Sequence, residues 1–366
     1  MFRRIAWENF DYWLLGLVAT AVIFGIAMIR SAIAGNAALA ELPNRQLIFA
    51  SVGLLVMLGL ALMDYHHWRP LSKYLYVGIV ITLVALKMVG TELFGSARWF
   101  TVGPIKIQPS EFAKIVLILV QADFLSRYQH RLHELRWPLF SAGLTGVLVY
   151  FIIRQPDLST SITLVVIWLA MLWAAGLRWR HIGLFAGVGV AASIVGFPFL
   201  ADYQKARVLH FLFPQETARH GAIYNVLQAL ISIGSGGWFG HGYGQGPQVQ
   251  HRFLKVRHTD FIFAVIAHEL GFAGAVLTIV LLSLIIWRCL RIAQHAYDTY
   301  GALIATGVAA MLGFHMLVNI AMNLNLLPVT GLPLPFITYG GSTLVTTLMA
   351  IGLVESVALY RRPLEP

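Results

Sequence analysis

The chain has 366 residues, of which 58% are hydrophobic and only 11% are charged. A soluble domain carries about 25% charged residues, so this composition excludes an ordinary water-soluble protein and predicts a surface that faces lipid. The formal net charge of +10 comes from Lys and Arg residues scattered between apolar runs, which argues against a nucleic-acid partner and for membrane topology.

Apolar runs long enough to cross a bilayer follow one another along the chain. A hydrocarbon core about 30 Å thick needs about 17–25 helical residues. The sequence predicts ten transmembrane helices, at 12–30, 45–64, 73–91, 110–127, 137–154, 157–176, 181–200, 261–288, 299–322 and 341–360. The first run is interpreted as a retained helix rather than a cleaved signal peptide. We therefore expect an all-α membrane protein that forms a single domain over 1–366.

The charges of the loops predict the orientation of these helices. Lys and Arg are more numerous in the loops on the side of the N-terminus, so the positive-inside rule places both termini in the cytoplasm. The long segment 201–259, between the seventh and eighth helices, is then a large extracytoplasmic loop. Its helix-like apolar stretch near 223–231 and its glycine-rich run at 234–246 predict folded structure on the membrane face.

A second irregular segment, 328–342, is apolar but interrupted by proline and glycine. Non-helical backbone at membrane depth persists only where protein or a water-filled cavity satisfies its polar groups. We expect this segment to line a cavity on the outer side.

Three acidic residues stand at the predicted starts of helices. Glu111 and Lys114 are three residues apart and share a helix face, as a structural ion pair or as the polar wall of a substrate cavity. Asp157 has the position of an N-cap of the sixth helix and could also contribute to that cavity. Asp260 lies where the polar loop meets an apolar run, which indicates either another N-cap or an acid placed for chemistry.

The surroundings of Asp260 favour a chemical role. A basic loop precedes it and the apolar residues Phe261, Ile262 and Phe263 follow it, so partial desolvation is expected to raise its pKa toward that of a useful general base. The cations of the loop attract anionic lipid headgroups or grip the phosphates of an anionic lipid substrate. Composition leaves both readings open.

Metal and nucleotide chemistry have no support from motifs. The histidines show no zinc-binding spacing, and the single cysteine, Cys289, excludes a zinc site built on cysteines. No P-loop, dinucleotide fingerprint or Gly-x-Ser-x-Gly motif occurs. We predict no metal site.

Seven short motifs in order resemble those of the SEDS peptidoglycan glycosyltransferases, and in particular the elongation branch of that family. They are RW at 98–99, QPSEFAK at 108–114, QPDLST at 155–160, DYQKARV at 202–208, IGSGG at 233–237, HTDFIFA at 258–264 and PFITYGGS at 335–342. The chain departs from the pattern at Lys255, Val256, His268 and Thr338.

The resemblance implies polymerisation of lipid II into β-1,4 glycan strands on the outer face of the bacterial plasma (inner) membrane during elongation. It implies that Asp260 is the catalytic base. The residues it assigns to substrate or pyrophosphate binding are Arg45, Arg98, Lys114 and Arg207. Those it assigns to support of the cavity are Glu111, Asp157, Thr259 and Ser342.

The resemblance also implies partners. These are a class B penicillin-binding protein that acts as transpeptidase, lipid II with the nascent lipid-linked glycan, and membrane lipids. No cofactor is established, and a divalent cation, Mg²⁺ or Mn²⁺, is left open.

Two other functions compete with this interpretation. A transporter that flips lipid-linked precursors should show inverted repeats and polar sites near the bilayer midplane, whereas the charged candidates here gather at the outer boundary and no repeat is visible. A non-catalytic scaffold of the elongation machinery would leave Asp260 replaceable.

Overall fold

The computed structural model describes residues 7–89, 91–93, 96–102, 105–199, 202–213, 222–250, 253–254 and 256–361. Its helices are α1 Tyr12–Ala32, α2 Leu42–Leu62, α3 Trp68–Val89, α4 Pro109–Tyr128, α5 Arg136–Ile153, α6 Leu158–Ala174, α7 Trp179–Gly196, α8 Asp202–Leu212, α9 Ala222–Ser235, α10 Pro247–Gln250, α11 Ile262–Gln294, α12 Thr299–Asn323 and α13 Gly341–Leu359. Three short strands, β1 Thr91–Leu93, β2 Ser96–Val102 and β3 Ile105–Ile107, lie between α3 and α4.

A helix occupies each of the ten predicted spans, as α1–α7 and α11–α13. Within the described residues, eight of these helices are long and apolar enough to cross a membrane, and α6 is apolar but has only 17 residues. The chain is therefore a mostly helical, multi-pass membrane protein. The crossing of all ten helices and the side of the termini stay predictions. The expected helix near 223–231 is present as α9.

The expectation of an all-α chain is wrong at 91–107. There the three strands form an antiparallel sheet in the order β1-β2-β3, with Phe100 of β2 paired to Ile107 of β3. The strand ladder satisfies backbone groups that a helix would otherwise satisfy. The hydroxyl of Ser342 donates to the carbonyl of Lys106 at 2.7 Å, so the sheet is tied to the start of α13.

Hydrogen bonds between residues far apart in the sequence hold the elements at one end of the helical bundle together. Gln46 of α2 donates to the carbonyl of Thr338 at 3.2 Å, and Ser159 of α6 donates to that of Thr330 at 2.5 Å. This end contains the last turns of α1 and α12 and the starts of α2, α4, α6, α11 and α13. Because Asp260 lies there, we call it the Asp260 end.

Ion pairs and hydrogen bonds also hold the opposite end together. Arg288 of α11 bonds the carboxylate of Asp11, which caps α1 through Leu14. Tyr65 donates to Asp298, the N-cap of α12, at 2.8 Å. These contacts join the start of α1, the α2–α3 connection and the start of α12.

The long helix α11 is broken at Gly271, whose φ of 67° and ψ of −164° are not helical. Only glycine adopts such a conformation at little cost. The break leaves two N–H groups after it and two carbonyls before it without their helical partners. In a lipid-facing protein such groups must find partners within the protein.

The glycine-rich run supplies partners for the two N–H groups. The N–H of Phe272 donates to the carbonyl of Gly237 at 2.8 Å, and the N–H of Ala273 donates to that of Trp238 at 3.1 Å. The run is therefore an inserted turn whose carbonyls continue the bonding of the second half of α11.

The same run satisfies the two carbonyls. His241 donates its N–H to the carbonyl of His268 at 3.1 Å, and Gly242 donates its N–H to that of Glu269 at 2.9 Å. All four groups left by the break are thus bonded to residues 237–242. The prediction of folded structure at 234–246 is confirmed, and the run locks the connection between α9 and α11 onto α11.

Glycines are required where the run and α11 touch. A Cβ on Gly240 would lie 2.1 Å from the carbonyl oxygen of Glu269, and Gly240 has a φ of +75°. A Cβ on Gly236 would lie 2.0 Å from that of Ala267. Side chains at either position would push the two backbones apart.

We expect Gly240→Ala to destabilise the protein, because it adds both a backbone clash and left-handed strain of about 1–3 kcal/mol. Thermal unfolding of the purified protein in detergent measures the effect. Gly16→Ala in α1, where a Cβ meets nothing within 4 Å, is the matched control and should be neutral or slightly stabilising. Equal melting temperatures for the two variants would contradict the lock.

Candidate active site

Asp260 ends a turn that leads into α11. The carbonyl of Val256 accepts the N–H groups of Thr259 at 3.4 Å and of Phe261 at 3.3 Å. The N-cap of α11 is Phe261, and no side chain makes a capping bond there. The interpretation of Asp260 as an N-cap is therefore wrong, because the helix begins two residues after it.

Two asparagines of α12 hold the main chain of Asp260. Asn323 donates to its carbonyl at 3.0 Å and Asn319 at 3.3 Å. Asn319 also donates to the carbonyl of Leu332 at 2.8 Å, and the side-chain oxygen of Asn323 accepts the N–H of Ala264 at 3.2 Å. Both amides are fully buried. They fix the turn, the start of α11 and the irregular segment after α12 against each other.

Burial and a neighbouring charge shift the pKa of the Asp260 carboxylate in opposite directions. Burial raises its pKa above the usual range, and the positive charge of Arg207 opposes that rise. Arg207 of α8 donates to the carbonyl of Thr330 at 3.5 Å. A Cβ placed on Gly331 would lie 3.9 Å from Asp260 Oδ2. The carboxylate thus lies beside residues 330–331, with Arg207 close enough to stabilise its charge.

The irregular segment between α12 and α13 has its polar backbone satisfied by protein, as expected. Its Thr338 carbonyl is bonded by Gln46, and Gln46 also accepts the N–H of Gly340 at 3.2 Å. The N–H of Tyr339 donates to the carbonyl of His258 at 3.1 Å. The segment therefore packs directly against the turn that carries Asp260.

Glu111 and Lys114 form the ion pair that their spacing predicts. Lys114 Nζ lies 2.9 Å from Glu111 Oε1, and the two side chains are 3% and 5% exposed respectively. Thr346 of α13 donates to Glu111 at 3.4 Å, and His315 Nε2 lies 3.5 Å from Lys114 Nζ. The ammonium group of Lys114 is buried and paired with Glu111. Lys114 therefore does not present an unpaired cation to the site.

Three polar residues of α12 connect this ion pair with Asp260. His315, Asn319 and Asn323 are spaced by four residues and share one helix face. His315 contacts Lys114, and the two asparagines contact Asp260. The separation along α12 is about 5.4 Å for each turn, so one polar stripe of an otherwise apolar helix contacts both the ion pair and the main chain of Asp260.

Asp157 is the N-cap that its position predicts. Its carboxylate accepts the N–H of Thr160 at 3.2 Å and the hydroxyl of Thr160 at 2.9 Å. It also accepts the side-chain amide of Gln108 at 3.3 Å and the hydroxyl of Ser110 at 3.4 Å. The carboxylate therefore joins the start of α6 to the start of α4.

Two other predicted residues have structural contacts only. Thr259 donates its hydroxyl to the carbonyl of Val256 at 3.4 Å, within its own turn. Ser342 accepts the N–H of Gln108 at 3.3 Å while it donates to Lys106. Both stabilise backbone next to the site.

Of two further predicted phosphate-binding residues, one is paired with an acid and the side chain of the other is not described. Arg45 is exposed and pairs with Glu41 at 2.7 Å in the first turn of α2. Its charge lowers the pKa of Tyr339, which burial raises more strongly. Arg98 belongs to β2, but its side chain lies outside the described residues.

The described residues around Asp260 do not form a ligand set for a divalent metal ion. Among the described residues, no group of three or more His, Cys, Asp or Glu side chains comes together as a ligand set. The groups near Asp260 are a guanidinium and side-chain amides already bonded to carbonyls, whereas Mg²⁺ and Ca²⁺ require several oxygen ligands. We therefore derive no step through a metal ion.

Comparisons with known proteins match almost the whole chain. A family model described as a cell cycle protein, that of FtsW, RodA and SpoVE, matches residues 10–363. The chain is similar to stage V sporulation protein E of Bacillus subtilis, with 38% identity over 322 residues, 87% of each protein. It is 37% identical to peptidoglycan glycosyltransferase MrdB of Escherichia coli K12 over 371 residues, 99% of this chain and 97% of MrdB.

A solved structure has the same fold. It is a chain from a peptidoglycan synthase complex that coordinates polymerization and crosslinking, with a TM-score of 0.82 and 32% identity. The match covers 96% of this chain and 98% of that one. The whole helical bundle is therefore shared.

We expect the Glu111–Lys114 pair to show strong coupling in stability. Glu111→Gln or Lys114→Met alone leaves one buried charge without its partner and should cost about 3–5 kcal/mol. The double variant should cost much less than the sum of the two. Thermal unfolding of the four proteins in detergent measures the coupling.

The exposed pair Glu41–Arg45 provides the control cycle. The same replacements there, Glu41→Gln and Arg45→Met, should change stability by about 0–1 kcal/mol, because water already screens both charges. Additive effects at 111 and 114 would contradict a buried, mutually dependent pair.

Proposed function

The chain belongs to the FtsW, RodA and SpoVE family of cell cycle proteins, and we propose that it polymerises lipid II into β-1,4 glycan strands during cell elongation. It is a peptidoglycan glycosyltransferase, the activity for which its relative MrdB is named. One observation carries the catalytic assignment. The partly buried carboxylate of Asp260 has a raised pKa, its main chain is fixed by two asparagines, and Arg207 lies close to it.

The proposed topology places this site on the extracytoplasmic side of the membrane. All ten long helices, α1–α7 and α11–α13, cross the bacterial plasma (inner) membrane, and both termini lie in the cytoplasm. The excess of Lys and Arg on the N-terminal side supports this orientation. The Asp260 end then faces the outer leaflet, where a lipid-linked sugar presents its headgroup.

In the proposed reaction, Asp260 is the general base. It accepts the proton of the 4-hydroxyl of an incoming GlcNAc as that oxygen forms a bond to C1 of the lipid-linked MurNAc. The bond from C1 to the pyrophosphate oxygen breaks, and undecaprenyl pyrophosphate leaves with inversion at C1. A raised pKa makes the carboxylate a stronger base than an exposed one, and the fixed main chain limits how far it can move.

Cations are proposed to bind the departing diphosphate. Arg207 is the first candidate, because its charge acts on Asp260 and a guanidinium matches phosphate oxygens. Arg45 and Arg98 are further candidates at the outer rim. The buried Lys114 and Glu111, with Asp157, Thr259 and Ser342, support the wall of the cavity.

The proposed partner is a class B penicillin-binding protein, whose transpeptidase crosslinks the new strand. The similarity to a chain of a peptidoglycan synthase complex that coordinates polymerization and crosslinking supports this pairing. Lipid II and nascent lipid-linked glycan are the proposed substrates.

We expect Asp260→Asn to reduce polymerisation of purified lipid II by about 10²–10⁴-fold, because the amide keeps the size of the side chain but cannot accept the proton. The assay separates glycan products on a gel, with and without the penicillin-binding partner. Glu134→Gln, which removes a carboxylate paired to Arg136 away from the site, is the matched control and should retain wild-type activity.

Two outcomes would contradict the proposal in different ways. Full activity of Asp260→Asn would remove Asp260 from the mechanism and leave the polymerase reading intact. No polymer from the wild type with an active partner would reject the polymerase reading, and transfer of fluorescent lipid II across vesicles would then test the transporter alternative.

A further inference from the structure

A separate cavity of about 890 Å³ opens between α1 and α2. Sites for small ligands usually measure about 300–1,000 Å³, so this space can hold a lipid headgroup with part of its chain. None of its lining residues is one of the proposed catalytic or phosphate-binding residues. Those that matter for the argument are Ile26, Arg30, Ile33, Asn36, Asn44 and Leu47.

The charged and amide lining residues all lie at one end of the cavity. Arg30 lies in the last turn of α1 and Asn44 in the first turn of α2, at the Asp260 end. Ile26 is one turn deeper on α1, and Leu47 is about one turn deeper on α2. The cation and the amides are therefore at the mouth, beside Ile33, Ala34, Ala40 and Pro43, and the deeper residues are apolar, as a lipid with its headgroup at the membrane surface requires.

The charge at the mouth favours an anionic headgroup. Arg30 is exposed and forms no ion pair with any residue that the structure describes. The nearby acid Glu41 is already paired with Arg45 at 2.7 Å. A guanidinium without a carboxylate partner beside two asparagine amides is complementary to phosphate oxygens.

The end of α1, next to the cavity, is bonded to α11 and to the segment just before Asp260. Ser31, next to Arg30, donates its hydroxyl to the fully buried carboxylate of Glu269 at 2.6 and 2.5 Å. The guanidinium of Arg257, three residues before Asp260, donates to the carbonyl of Ala32. A ligand that packs against the end of α1 would therefore steady this segment.

We propose that the α1–α2 cavity binds the phosphate headgroup of an anionic lipid, with Arg30 as the main cation and the apolar chain of the lipid along Ile26 and Leu47. Two sources share this chemistry, an anionic phospholipid and a polyprenyl pyrophosphate. The site is distinct from the residues around Asp260, and phospholipid binding does not rest on the proposed polymerase function.

Native mass spectrometry of the full chain in detergent tests the proposal. The protein is titrated with phosphatidylglycerol, with undecaprenyl pyrophosphate and with zwitterionic phosphatidylcholine, and the retained lipid is counted. We expect Arg30→Ala to weaken retention of at least one anionic lipid about five- to tenfold. Phosphatidylcholine retention should not change.

Control variants separate this site from general attraction of anionic lipid. Arg291→Ala removes an exposed cation of α11 at the opposite end, where the guanidinium lies over the ring of Trp287, and should retain both lipids as the wild type does. Asn44→Asp adds a negative charge at the exposed mouth and should weaken anionic lipid even if Arg30→Ala fails to fold.

The two lipid arms identify the source. Weaker retention of both anionic lipids supports a shared phosphate site, and weaker retention of one of them supports the site and names its occupant. Unchanged retention in Arg30→Ala and Asn44→Asp would overturn the proposal, as would an equal loss in Arg291→Ala. Since retention is measured without catalysis, its result is independent of the polymerisation assay.

Discussion

The requirement that every backbone polar group be bonded within the protein governs the half of this structure that contains Asp260. Helix α11 is broken at Gly271, and in a membrane the four backbone groups left without helical partners would each cost several kcal/mol. Residues 237–242 bond all four of them. The glycine-rich run is consequently part of the bundle, and the connection from α9 to the turn at 256–260 is anchored before it reaches Asp260.

The proposed active site follows from the same principle, because buried amides bond main-chain groups and leave the reactive carboxylate for substrate. Asn319 and Asn323 bind the carbonyl of Asp260 rather than its side chain. The carboxylate is instead influenced by burial and by the charge of Arg207. A base needs a fixed position and a raised pKa. In Asp260 the bonded main chain provides the first, and the buried carboxylate has the second. The buried Glu111–Lys114 pair extends the polar stripe of α12 without adding a net charge.

The sequence predicted the helices well, because apolar runs and their lengths report directly on spans. It also predicted the Glu111–Lys114 pair and the Asp157 cap, which depend on residues three positions apart. The sequence did not predict contacts between residues far apart in the chain, nor the residue at which a helix begins or breaks. The asparagines that bind Asp260 lie 59 and 63 residues after it, too far along the chain for a local pattern to reveal. Gly271 looks like any other glycine in an apolar run. The sequence before α11 also does not show whether the helix begins directly after Asp260 or two residues later.

The most direct test of the central claim is the pH dependence of kcat/KM for lipid II polymerisation in the wild type, Arg207→Ala and Arg207→Lys. The rate should rise with pH as Asp260 loses its proton, because a base must be deprotonated. Since the charge of Arg207 lowers the pKa of Asp260, Arg207→Ala should move the midpoint of this rise to higher pH and Arg207→Lys should move it less. His258, whose pKa is lowered by burial and Arg257, is common to all three proteins. An unchanged midpoint in Arg207→Ala, or a shift to lower pH, would contradict the account.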